Sequence, residues 1–387
     1  MKKQMMVKVT AMAMAAAMMM TACGGKTAPA QSSAETAAPA DTAADTAADT
    51  AADTASSDGA ESSGSYNVDN IEEVTYKVST SAKSSTLDIP GYGAGIKYFC
   101  DEVEKRSNGK VKMELYLDAQ LGGSADEMIG GCTTGAFEFI TLNQGSWGEY
   151  TDAFMPFNMP FLFDNNQVAY EFMDGEQGKA IRDKIIEDVG VRVLCFYDMG
   201  FRHFTNNKKP VKSAADIKGL KVRTQADPHQ MAPFEAMGAS VTTVAYSELF
   251  SALQQGLVDA EENPLSNIVI NKYYEVQDYL TLTGHTYSLT TMAVSEDVWE
   301  SMSPDLQALM EEVAKDAVDL CREGLEESES KDLETLKGVM EVYEPTEEEK
   351  ESFKEACAPC YEDIKKSIGD DRYNAIMDEI ERISAKQ

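Results

Sequence analysis

The chain has 387 residues, and its 66 acidic against 34 basic side chains give a formal net charge of −32. Such a chain repels phosphate backbones, which counts against nucleic acid as a partner. With the low-complexity N-terminal stretch set aside, the remaining length suits two domains rather than one.

Lys2, Lys3 and Lys8 precede an apolar stretch from Val9 to Met20 that is too short to span a bilayer comfortably. It ends at Thr21-Ala22-Cys23-Gly24, small residues before a cysteine. Residues 1–22 are therefore expected to be a lipoprotein signal peptide, with Cys23 as the lipidated residue. A plain secretory peptide with an A-x-A-like site is the alternative. The mature chain is expected outside the cytoplasm, anchored by lipid to the outer face of the cell membrane or periplasmic. Residues 23–70 include the run DTAADTAADTAADTA from Asp41 to Ala55. It has no large apolar group to bury, so it is expected to be a disordered acidic tether.

Folded sequence starts near Ile71. VTYKVST alternates as a strand does, and Ile96, Phe99, Cys100 and Val103 have helical spacing, stopped by Ser107-Asn108-Gly109. Val111, Met113, Leu115 and Leu117 alternate again. Gly122-Gly123 is not followed by Gly-Lys-Ser/Thr, so Ser124 with Glu127 reads as a capping box rather than a phosphate loop. Val191 to Tyr197 is an apolar strand, and Leu220, Val222 and Thr224 alternate against Lys221 and Arg223. Phe234 and Met237 mark one helix, and Phe250, Leu253 and Leu257 another. Ser303-Pro304-Asp305 is a helix start, and the periodicity from Leu306 carries that helix towards Met340, long enough to cross between two domains. Mixed βα units followed by a helical tail predict an α/β fold, with two lobes.

Signatures of catalysis are missing. There is no His-Glu-x-x-His and no Gly-x-Ser-x-Gly, and no metal-ligand spacing. His203, His229 and His285 are the three histidines, and they read as structural or surface groups. The cysteines left after Cys23 permit disulfides in an exported chain. Cys357-Ala-Pro-Cys360 lacks the strand-before-helix setting of a redox site and reads as a local disulfide or a pair of free thiols. No enzyme activity and no cofactor are expected.

Arg223 stands out. A short strand brings it to the carboxyl end, the edge of an open α/β sheet where ligands bind. Its planar fork matches a carboxylate, although a salt bridge to one of many acids would account for it equally well. Asn263, held before Pro264, offers both a donor and an acceptor, and helix capping is its alternative role.

The runs GFRHFTNNKKPVKSAADIKGLKVRTQAD, YSELFSALQQGLVDAEENPL and NKYYEVQDYLTLTGHTYS resemble the solute-binding proteins of TRAP transporters, the DctP-type family. So do YLDAQLGGSADEMIGGCTTGAFEF and MPFNMPFLFDNNQVAYEFMDGEQG earlier in the chain. The resemblance covers nearly everything after about residue 71. It implies a two-lobed periplasmic-binding-protein-like fold with strands crossing between lobes and a long helix spanning both. By that resemblance one lobe is expected over residues 71–199 plus 290–328, and the other over 200–289 plus 329–387.

The function implied is a receptor that captures an organic acid and hands it to TRAP membrane subunits. A ligand-sensing lipoprotein feeding a signalling partner is the alternative. The family's selectivity arginine falls on Arg223, its asparagine before proline on Asn263, and its upstream arginine on Arg202. That arginine holds a second ligand group or braces the site. The aromatic before Ser-Glu falls on Tyr246, and the polar position of the first lobe on Asn143 with Gln144 beside it. The family usually writes V-D-G-Q-E-N-P; this chain has Ala260 for glycine and Glu261 for glutamine.

Overall fold

The structure is a computed structural model that describes residues 66–386. The expected signal peptide, Cys23 and most of the tether lie outside the described residues.

Among the described residues nine strands form one sheet: β1 (Val74–Thr80), β2 (Val111–Tyr116), β3 (Phe139–Asn143), β4 (Val191–Asn206), β5 (Lys221–Thr224), β6 (Ser240–Thr243), β7 (Ala260–Pro264), β8 (Tyr279–Ser295) and β9 (Glu341–Tyr343). Their order is β2-β1-β3-β8-β4-β7-β5-β6, with β9 beside β8. β1 pairs in parallel with β2 and β3, and β5 in parallel with β6 and β7. The two parallel groups are joined by the antiparallel pair β4 and β8, of 16 and 17 residues. At ~3.3 Å per residue each runs about 50 Å, long enough to serve both groups.

The first half of β4 pairs with the end of β8 that also holds β3. Its second half, Arg202 to Asn206, pairs with β7. The register slips between Asp198 and Gly200, where Gly200 takes a φ of 79°. A Cβ there would lie 1.8 Å from Glu329 Oε1, the movable end of a flexible side chain, so it is the positive φ that calls for glycine. The sequence reading ended this strand at Tyr197, whereas the ladder continues through Gly200 to Asn206 because β7 and β8 flank it.

Apolar clusters lie on both sides of this junction. Ile96, Phe99 and Val103 pack with Val78, Val111 and the first half of the helix Pro304–Lys337. Phe154, Phe157, Phe163 and Phe172 fill a second cluster that also takes Ile376, Ile380 and Ile383 of the last helix, Asp370–Ser384. Around β5, Val222, Phe234 and Phe353 form a third. Leu253, Ile268 and Leu280 form a fourth, with Leu336 from the far end of the long helix. That helix starts as expected: Pro304 is in its first turn, and Ser303 Oγ accepts from Leu306 N at 3.2 Å. One 34-residue helix therefore packs in clusters of both halves.

The capping box at Ser124 and Glu127 is formed. The helix expected at Phe250 to Leu257 is shorter, Leu249–Gln254; Leu257 follows Gly256 and is 61% exposed. Cys357 and Cys360 sit inside the helix Glu347–Ile368, and both are buried free thiols, as are Cys100, Cys132, Cys195 and Cys321. Burial pushes the Cys357 thiol up to about 12 and that of Cys360 up to about 11. These thiols are inert in the protonated form.

Candidate functional site

The carboxyl ends of the parallel strands on either side of the junction open into one cavity of about 230 Å³. Thr80 and Ser81 reach it from the end of β1, Thr141 and Asn143 from β3, and Arg223 and Gln225 from β5 and the residues after it. Tyr246, Asn263 and Asn267 complete that side, and Tyr92 enters from the start of the helix Tyr92–Arg106.

Arg223 is 2% exposed. Its Nε and Nη2 both donate to the carbonyl of Val244, at 2.9 and 2.6 Å. That carbonyl fixes the plane of the guanidinium and takes no charge from it. Among the described residues no carboxylate lies within ion-pairing distance of Arg223, although it faces the cavity. Burial lowers its pKa, opposed by Tyr273 and Glu262. A buried cation of this kind gains most from an anion that brings acceptors of matching geometry.

Arg202 is placed differently. It is 1% exposed and does not line the cavity. Its Nε and Nη2 donate to the Glu262 carboxylate, Nη1 donates to Ser288 Oγ at 3.1 Å, and Nη2 also reaches Asn263 Oδ1 at 3.3 Å. Burial would raise the Glu262 carboxyl, but Arg202 and His285 hold it down at about 2. Arg202 thus lies behind the cavity wall, held by Glu262 and Ser288.

Asn263 lies in β7 with its side chain on the cavity. Its Oδ1 accepts from Arg202 and from Asn267 Nδ2, the latter at 3.0 Å, and its Nδ2 donates to Glu261 Oε2. It makes no cap for the next helix, Leu265–Ile270, because Pro264 occupies the N-cap position. The Tyr246 hydroxyl donates to Asn267 Oδ1 at 3.2 Å and accepts from Asn271 Nδ2. Burial pushes that phenol up to about 12. Asn143 ends β3 and lines the cavity, its Nδ2 donating to Ser288 Oγ at 3.2 Å. Gln144 turns away: its amide bridges Tyr287 O and Leu289 N, both at 3.0 Å, and locks the loop to β8.

The profile of DctP, described as bacterial extracellular solute-binding protein, family 7, matches residues 82–367. The chain belongs to the DctP family. A solute-binding protein of Verminephrobacter eiseniae is 32% identical to this DctP-family chain over 286 residues, 74% of this chain and 84% of that one. Among solved structures, a TRAP periplasmic solute-binding protein from Polaromonas sp. JS666, described as bound to D-erythronate, superposes with a TM-score of 0.72 at 34% identity. It covers 79% of this chain and 98% of its own. Another from Sulfurospirillum deleyianum, described with bound succinate, gives 0.73 at 30% identity, over 81% of this chain and 100% of its own.

These findings make the chain a TRAP-type solute-binding receptor with the two-lobed fold of that group. Its family consists of receptors, and they work outside the cytoplasm.

The cavity is also lined by residues not singled out from the sequence. Thr80 and Ser81 stand at the end of a parallel strand, where the rule that singled out Arg223 would have found them. Tyr92, just past Pro90-Gly91, has no such signal, because only the tertiary fold brings it beside Tyr246.

Proposed function

We propose that this receptor captures an organic acid by its carboxylate and delivers it to TRAP membrane subunits, tethered to the membrane through lipid on Cys23. The observation that carries the ligand reading is Arg223, a buried guanidinium facing the cavity with a carbonyl but no acid to pair with. Its remaining N–H groups would meet the ligand carboxylate, and Tyr246, Asn143 and Asn263 would frame the rest. Arg202 and Gln144 act as positioning residues, the first by neutralising Glu262 and the second by fixing the loop that carries Asn143.

The lobes would be divided at the junction of β4 and β8, close to the boundaries expected from the sequence. The packing of the last helix against the Phe172 cluster supports assigning it to the first lobe. Closing around the ligand would be a hinge motion at that junction. It excludes water and so strengthens the charged hydrogen bonds.

A thermal-shift screen of the purified protein against organic acids tests the reading, since a ligand of the native state must raise the melting temperature. For the acid that stabilises most, Arg223→Lys keeps the charge but loses the fork and should weaken binding at least tenfold by calorimetry. Unchanged affinity would remove Arg223 from the site.

A further inference from the structure

The charges around the cavity are uneven. Among the described residues that line it, Arg223 is the one basic side chain, while Asp126 and Glu149 stand exposed at its mouth. The second guanidinium nearby, Arg202, is already neutralised by Glu262 and bonded to Ser288. Much of the remaining wall is hydroxyl and amide, including Thr80, Thr141 and Thr290. Gln225 lines the same cavity, and its Oε1 is buried with no hydrogen-bond partner. A free amide oxygen needs a donor. A hydroxyl supplies one and an ionised carboxylate does not.

We infer that the ligand is a polyhydroxy monocarboxylate, one carboxylate on a short chain or ring of hydroxyls as in aldonic and uronic acids, and that the site discriminates against four-carbon dicarboxylates. The inference rests on the receptor reading and narrows it. One end of the ligand pairs with Arg223. A second carboxylate at the other end would lose its water without gaining a cation, and the exposed, water-screened Asp126 and Glu149 would add only a weak repulsion. Hydroxyls there can donate to Gln225 and the acidic mouth while accepting from the threonines. The acidic groups are exposed and water-screened rather than gathered into a buried cage, which favours a neutral hydroxyl over an ammonium group as their partner. The cavity, at about 230 Å³, is below the ~300–1,000 Å³ of drug-sized sites, as suits a small metabolite.

The test is calorimetry on the purified protein with four matched sets of probes. These are aldonates and uronates of four to six carbons, the dicarboxylates succinate and malate, neutral glucose, and serine. At least one aldonate or uronate should bind tenfold or more tighter than either dicarboxylate, and glucose should give no heat. A dicarboxylate that binds as tightly as the best sugar acid overturns the inference but leaves the receptor reading standing. Serine as the tightest ligand does the same and points to an ammonium at the mouth. If no carboxylate binds at all, the receptor reading fails and the inference falls with it.

Discussion

Arg202 and Glu262 neutralise each other behind the cavity, and this leaves Glu261, the next residue along β7, without a cation of its own. Glu261 is fully buried, and it accepts from Thr205 Oγ1 at 2.7 Å and from Asn263 Nδ2. Gln277, which also faces Thr205, is neutral. Burial pushes the Glu261 carboxyl up to about 7, with Thr205 and Asn263 pulling the other way. A folded value above the unfolded one favours the protonated form in the native state. Its stabilising effect is therefore complete below about pH 4.5 and lost as pH rises through about 7. Glu261→Gln removes the titration. The variant should gain about 3 kcal/mol over the parent at pH 8 and nearly nothing at pH 4.5, measured by urea unfolding. Stability curves that stay parallel across this range would show that Glu261 ionises in the folded protein as it does in the unfolded chain, and that its carboxyl is solvated there. The residue is also where the chain departs from the family's usual glutamine, so the same variant restores the commoner residue next to Asn263.

At the scale of elements, the junction depends on the midpoint of β4. Asp198 is buried there, with Oδ2 accepting from Arg322 Nε at 2.7 Å and Oδ1 unpartnered. Arg322 belongs to the long helix and also donates to both oxygens of Asp174, at 2.7 and 3.0 Å, while its guanidinium lies 4.3 Å from the Tyr170 ring centre. One side chain thus fastens the helix to the strand that serves both halves. Arg322→Ala strands a buried carboxylate and should cost about 3 kcal/mol in urea unfolding. Adding Asp198→Asn should recover most of that loss, and simple additivity of the two changes would rule out the pairing as the cause.

Much of this scale was legible in the sequence. Capping residues and periodicity announced the long helix and the capping box at Ser124, and strand alternation placed Arg223 at a ligand-binding edge. The continuity of β4 was hidden, because Gly200 looks like punctuation until Glu329 and β8 are seen against it. Asn143 and Gln144 could not be told apart either. A strand's end exposes one to the cavity, and only the pairing with β8 shows that the other is spent on Tyr287 and Leu289. The pairing of Arg202 with Glu262 likewise needs the register of β4 against β7, which no local pattern carries.

On the scale of the whole molecule, the two sides of the cavity meet at its rim. Gly123, in the loop after β2, lies so close to the turn that starts at Tyr246 that a Cβ there would be 3.1 Å from Ser247 Oγ. The loop with Gly123 and the turn with Ser247 belong to opposite parallel groups of the sheet, so this contact depends on how far the lobes close. Gly123 is partly exposed, and a larger side chain there has solvent to move into when the rim opens. Gly123→Leu should therefore act on the closed state rather than on the fold. If closure completes the site, the variant pays for every binding event by holding the rim apart, and the apparent affinity falls in proportion to the closed fraction. We expect the best ligand of the calorimetric panel to bind at least tenfold more weakly to Gly123→Leu, while the melting temperature without ligand changes by less than ~2 °C. Small-angle scattering should then show less compaction at ligand saturation than the parent shows. Equal affinity with equal compaction would mean that the rim contact is incidental and that closure is governed at the Gly200 junction alone.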